Sequence, residues 1–123
     1  MNITPANISI LQKFESIHEY WSPAVVGELN GQAVKLVKIK GEFTWHHHET
    51  EDELFYVVRG SFEMQFREKN VLLREGECII VPAGVEHRPV ASEEAWVMLF
   101  EPASTLNTGN TRNEFTKEEL PRI

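Results

Sequence analysis

Trp45-His46-His47-His48-Glu49-Thr50-Glu51-Asp52-Glu53-Leu54-Phe55-Tyr56-Val57-Val58-Arg59-Gly60 sets three consecutive histidines and a run of carboxylates directly before an apolar strand. Imidazole nitrogens and carboxylate oxygens are the donors that borderline divalent metals take. On a strand alternate side chains share a face, so His46 and His48 point together and His47 points away. Glu53 opens the following strand, where it can sit beside those two histidines. Glu49, Glu51 and Asp52 occupy the connection and remain competing donors. Two histidines and a carboxylate make a facial set that leaves positions open to water or substrate. His87 follows the tight turn Pro82-Ala83-Gly84 and is the candidate for a fourth ligand. The expected metal site is therefore His46, His48, Glu53 and His87. A purification tag would be longer and terminal; this run is internal, between strand signals.

On both sides of this stretch the chain reads as short strands. Val25 to Leu29 leads into Asn30-Gly31, a two-residue hairpin signal, and Ala33 to Lys40 follows. Gly41-Glu42 reads as a break, and Phe43 to His48 as a strand by its aromatic, alternating content. Leu54 to Val58 is a dense apolar run closed by Gly60. Phe62, Met64 and Phe66 alternate with polar residues, which predicts a one-sided strand. Val71 to Leu73, Cys78 to Val81, His87 to Val90 and Trp96 to Phe100 complete the set. Many short strands separated by Gly, Pro and Asn turns predict an all-β sandwich or barrel.

The ends read differently. Asn7 is expected to cap a short helix running to about Ile17, with Ile10, Phe14 and Ile17 on one face, as a packing element. His18, just after it, reads as a helix-dipole contact rather than a ligand. Ser104 to Asn110 is polar, and Thr116 is expected to cap one helical turn through Leu120 before Pro121. This tail is either a solvated terminus or a strap across the barrel.

Strand parity predicts the pocket. If Glu53 faces the metal, Phe55 and Val57 share its face, and with Phe62 and Met64 they are the expected lining. Leu54, Tyr56 and Val58 then face outward, with Phe43, Trp45 and His47 on the same outer side. An outer apolar patch needs cover, from the helix or from a second copy; a homodimer through this face is expected. Cys78, in a Val/Ile-rich strand, is expected in the core.

Composition sets the remaining bounds. A chain of 123 residues is most simply one domain, 1–123. Nineteen acidic residues against twelve basic ones give a formal charge of −7. Such a chain has no field to attract phosphate backbones or an anionic membrane, so neither nucleic acid nor membrane is an expected partner. A single cysteine excludes an intrachain disulfide. Met1-Asn2-Ile3-Thr4-Pro5-Ala6 lacks a basic region followed by an apolar stretch. No apolar run approaches the ~18 residues that span a bilayer. A cytoplasmic location is expected.

Across residues 25 to 101 the sequence resembles the small single-domain bacterial cupins of the cupin superfamily. Their first motif has a glycine, His-x-His, a carboxylate after three or four residues, and a second glycine six residues on. Here Gly41 precedes His46-His47-His48, four residues separate His48 from Glu53, and six separate Glu53 from Gly60. Gly41 stands one residue closer to the histidines than in the usual motif. The second motif, Gly-x5-Pro-x-Gly-x2-His-x3-Asn, matches at Gly76, Pro82, Gly84 and His87, with Ala91 replacing the asparagine.

The resemblance implies a jelly-roll-type β-barrel, here with a short N-terminal helix and an irregular C-terminal tail. It implies the same four ligands, His46, His48, Glu53 and His87, around a divalent metal ion: Fe, Mn, Ni, Zn, Cu or Co. Cupins include dioxygenases, sugar-phosphate isomerases and epimerases, decarboxylases, sensor domains and storage proteins, so the fold alone does not give a reaction. The expected function is to act on or bind a small organic molecule at an open metal position, with oxygenase-like chemistry first. A non-catalytic binding or sensing module is the alternative, and a sugar-phosphate isomerase the third reading. The apolar lining favours a small organic molecule over a polyhydroxylated sugar. No general base beyond the ligands is legible, and Lys35, Lys38, Arg59 and Arg88 show no clustering in the pocket.

Overall fold

The structure, a computed structural model, describes residues 4–123. Met1, Asn2 and Ile3, part of the stretch read for a leader, lie outside the described residues. One short helix, α1 (Ile10–Glu15), precedes seven strands: β1 (Ala24–Leu29), β2 (Gln32–Glu42), β3 (Glu53–Arg59), β4 (Ser61–Phe66), β5 (Asn70–Arg74), β6 (Cys78–Val81) and β7 (His87–Pro102). The strands run in the order β1-β2-β7-β3-β6, and β4 joins β7 to β5. Every pairing between these strands is antiparallel, and the fold is an all-β, jelly-roll-type barrel. No helix among the described residues is long and apolar enough to cross a membrane.

Asn30 and Gly31 both take positive φ, 52° and 78°, which is the backbone a two-residue hairpin loop requires. They join β1 to β2 with Leu29 opposite Gln32. The helix is shorter than expected, and its cap is Ser9 rather than Asn7: the Ser9 hydroxyl accepts from the Gln12 N–H at 3.3 Å.

The two last strands expected at 87–90 and 96–100 are one strand. β7 is continuous, and its ladder to β2 slips between the pairs Ile39–Ala95 and Gly41–Ala91. The extra residues, Ser92 to Glu94, bulge into solvent, which is why their polarity reads as a break. β7 therefore bends. Its first part pairs with β4 and its last part with β3, closing the barrel around one interior.

Two apolar clusters result. The inner one includes Val57, Phe62, Met64, Val81 and Val97, all nearly or wholly buried. The outer one joins Phe14 and Ile17 of the helix region to Leu36 and Trp96, with Val58 and Met98 packed against it. Phe14 stacks on Trp96 at 4.9 Å. The helix thus covers part of the outer face, Val58 included.

Three further expectations are corrected. Residues 43–48 form no strand ladder but an extended segment with a single bridge, His46 to His87. Off the ladder, alternation lapses at Phe43, which turns inward to stack on Trp21 at 4.8 Å. Cys78 is exposed, because β6 buries Val81 and alternation turns Cys78 and Ile80 outward. No helical turn follows Thr116. The Thr116 hydroxyl instead takes up the Asn113 N–H at 3.0 Å, and the tail lies across the barrel as a strap. Thr108 is fully buried in it, and Phe115 packs on Trp21 and Phe43.

Candidate metal centre

The four residues expected as ligands come together. One donor atom from each of His46, His48, Glu53 and His87 lies within 4.8 Å of all the others, and all four side chains are buried. Backbone contacts and strand register place them. The bridge between residues 46 and 87 fixes two imidazoles side by side, with ring centroids 4.3 Å apart. The His48 carbonyl accepts the Gly84 N–H at 2.7 Å, tying the histidine run to the turn before His87. Glu53 is the first residue of β3, opposite Val81. His47 points away, as parity requires, and meets the exposed Glu49 at 2.7 Å. Of the other carboxylates in the run, Asp52 accepts the Ala83 N–H at 2.8 Å and steadies the same turn. Glu51 meets the Ser104 hydroxyl.

The nitrogens are presented as a metal site needs them. His46 Nδ1 lies 2.9 Å from the Thr44 carbonyl, and His87 Nδ1 lies 2.8 Å from the Val85 carbonyl. A carbonyl only accepts, so each Nδ1 donates to it and each ring turns its Nε2 inward. His87 Nε2 lies 3.1 Å and His48 Nε2 2.9 Å from Glu53 Oε1. His48 Nε2 lacks the alignment of a hydrogen bond and is buried without a partner. Ring nitrogens converging on a carboxylate, one of them buried without a partner, are the arrangement that a cation satisfies. His46, His48, Glu53 and His87 therefore could hold a metal ion, and nothing in the donor set selects which.

The electrostatics agree. Burial, and then His87 beside it, lower the His46 pKa to about 4, so the ring stays neutral. Burial works against ionisation of Glu53, but the adjoining His48 and His87 outweigh it and hold the carboxyl well below its ordinary range.

The centre opens on a cavity of about 50 Å³. Phe55 and Phe62 line it as expected, with Val37, Ile39, Val97 and Leu99. Val57 and Met64 share the inward parity but lie fully buried in the inner cluster and are not among the lining residues. Two charged residues that line the cavity were not legible as such. Lys35 Nζ donates to Glu101 Oε2 at 2.6 Å, with both side chains out of solvent. Burial first, and then the charge of Glu53, push the Glu101 carboxyl well above its usual range. The available signal was parity: Lys35 alternates with Ala33, Val37 and Ile39, and Glu101 with Leu99 and Val97, all buried. Asn107 of the strap also lines the cavity.

A family model described as a cupin domain matches residues 34–101. The structure is similar to that of a cupin-2 domain containing protein from Shewanella frigidimarina, 44% identical, with a TM-score of 0.76, covering 77% of this chain and 93% of that one. An uncharacterized protein of Bacillus subtilis, YdbB, is 36% identical over 64 residues, 51% of this chain and 57% of its own length. Acireductone dioxygenase 2 of Arabidopsis thaliana is 33% identical over 66 residues, 50% of this chain and 34% of its own length. The match thus spans little more than half of one curated relative and a third of the other.

Proposed function

The chain belongs to the cupin family, and from that premise we propose that it is a single metal-binding domain whose centre binds, and converts, a small organic molecule. His46, His48, Glu53 and His87 are the ligands in this reading. The observation that carries it is the buried convergence of four donors, one of them an imidazole nitrogen with no partner. Such an ion supplies Lewis acidity, and a redox-active one supplies electron transfer as well. The chain's own part is to hold the donors, exclude water and press the substrate against an apolar wall. Oxygenase-like chemistry is the first reading, supported by the likeness to a dioxygenase over half of the chain.

The test is metal analysis of protein purified without added metal. His46→Ala and His48→Ala are expected to abolish stoichiometric metal. Oxygen uptake with Fe(II) and a panel of diketones and catechols then tests the reaction; no turnover with any metal favours the alternative, a binding or sensing module. That alternative draws on the strap, whose Asn107 sits against the cavity. A sugar-phosphate isomerase ranks third, because the one lysine at the cavity is already paired with Glu101.

The outer face left uncovered by the helix is proposed to pair with a second copy of the chain. Leu54, Tyr56 and Ile80 stand on it, half-buried or exposed.

A further inference from the structure

The backbone of Trp21 takes φ +58°, in the left-handed region that glycine favours and a bulky residue rarely enters. Among the described residues the other non-glycine with positive φ is Asn30, whose hairpin turn requires it. Trp21 is instead held there by two carbonyls of β2. Its N–H donates to the Lys38 carbonyl at 2.9 Å, and its indole Nε1–H to the Lys40 carbonyl at 3.0 Å. The strained backbone thus sets one ring in one place, where it lines the cavity beside the centre and is only 9% exposed. Trp21 stacks on Phe43, and Phe43 turns its edge to the His46 ring at 5.4 Å. Phe115 of the strap meets Trp21 from another side at 6.2 Å. Trp21, with Pro23 and Asn107, lines the cavity from outside the residues 34–101 that match the cupin model. The barrel supplies the ligands and most of the wall, and the flanking segments of this chain supply the rest.

We propose that Trp21 is a specificity-determining wall, which limits the substrate to a short carbon body beyond the group held at the centre. A cavity of about 50 Å³ holds roughly four waters at ~10–15 Å³ each, which sets that body at about four carbons. A ring pinned through its backbone, its indole N–H and its stack on Phe43 does not swing aside for a longer chain. Each further methylene is then forced against occupied space, so the limit is steep. Nothing in this depends on the charge of any group at the centre. It rests on the reading of the centre as a metal site.

A series of alkyl hydroxamates tests it, titrated by calorimetry into the Zn(II)-loaded full chain with metal content measured on the same samples. The hydroxamate group takes the ion, and the alkyl tail enters the cavity. Acetohydroxamate and butanohydroxamate are expected to bind. Hexanohydroxamate and octanohydroxamate are expected to bind about tenfold or more weakly than butanohydroxamate. Trp21→Ala is expected to move that step to chains longer by about two carbons or more. Trp21→Leu, which keeps an apolar side chain in the inner cluster, is the second variant should Trp21→Ala fail to fold, and a shift in the same direction is expected. General loosening of the fold would weaken the whole series and leave the step in place, so the readout is the position of the step. A metal-loaded wild type that binds no probe or shows no step, or a step that stays in place in the folded variant, overturns the role of Trp21. Stoichiometric metal in the same samples leaves the metal reading standing. Wild-type protein that takes up no metal overturns that reading, and the role of Trp21 with it.

Discussion

His46 and His87, far apart in sequence, exchange both of their backbone hydrogen bonds: the His46 N–H donates to the His87 carbonyl at 3.1 Å, and the His87 N–H to the His46 carbonyl at 2.9 Å. Each ring also turns its Nδ1 to the carbonyl two residues before it, Thr44 and Val85. The same local device is used twice, from the two strands of one bridge. Both imidazoles are therefore held by the fold itself, so an arriving ion has little side-chain ordering left to impose.

Glu53 is the one carboxylate in this arrangement, and it differs from the loop acids by burial. Glu53→Gln keeps the shape and removes the charge. It is expected to weaken Zn(II) or Co(II) binding by more than about 100-fold, beyond what loss of an outer partner costs. Competition against a chelator of known affinity measures this. Unchanged affinity would move the carboxylate ligand to Glu49, Glu51 or Asp52.

The neutral His46 makes metal-free stability depend on pH. Its pKa falls from 6.5 to about 4 on folding, because burial and then His87 disfavour the charge. Between those values the unfolded chain binds the proton and the native state does not. Stability is therefore lost as the pH falls through that window, and the loss is complete below it. Relative to His46→Gln, the metal-free wild type is expected to lose up to about 3 kcal/mol between neutral pH and the lower value. The difference between the two proteins cancels the opposing titration of Glu101. Urea titrations at several pH values read it. A difference that stays constant with pH would mean that His46 is not buried neutral.

The strap is anchored where it crosses the histidine run. The Asn110 N–H donates to the His47 carbonyl at 3.0 Å, and Asn110 Oδ1 accepts the His47 N–H at 2.8 Å. Gly109, next to it, has φ +56°, and an added Cβ would stand 2.2 Å from the His47 carbonyl oxygen and 3.2 Å from the His46 ring. Both contacts are with the histidine run that carries two of the expected ligands. Gly109→Ala is expected to lower stability by about 2 kcal/mol or more and to weaken metal binding together with it. Thermal unfolding with and without Zn(II) measures both. A variant with wild-type melting would show that the strap is not bound to the run.

Much of this was legible because it depends on local pattern. Alternation places His46 and His48 together, and Glu53 opens a run whose inward residues are Phe55 and Val57; the Asn30-Gly31 turn needs only its two residues. What was not legible depends on partners that a linear reading does not supply. Phe43 turns inward because its segment leaves the ladder. The polarity of Ser92 to Glu94 reads as a break although β7 continues, because the slip in its pairing with β2 is invisible along one strand. Lys35 has the parity of a core residue, but only Glu101, brought diagonally beside it by the register that pairs Lys35 with Leu99 and Ala33 with Glu101, makes its burial tolerable. The strap follows from contacts of Asn110 and Phe115 that no periodicity marks.

The same registers that bury Lys35 and Glu101 set an apolar row on the other face of the sheet. Val34 pairs with Phe100, Phe100 with Leu54, and Leu54 with Ile80, so four apolar side chains stand side by side across four strands. Ile80 is 62% exposed, at the open edge of this row and beyond the reach of the helix. A two-fold pairing of copies would bury the row against itself, and any residue on it then meets the interface twice. Sedimentation at micromolar protein is expected to show a dimer. Ile80→Glu, which places two like charges in that interface, is expected to raise the dimer dissociation constant by about 100-fold or more while leaving metal content unchanged, since Ile80 faces away from the centre. A wild-type monomer at the same concentration, or a dimer indifferent to Ile80→Glu, would exclude this face as the contact.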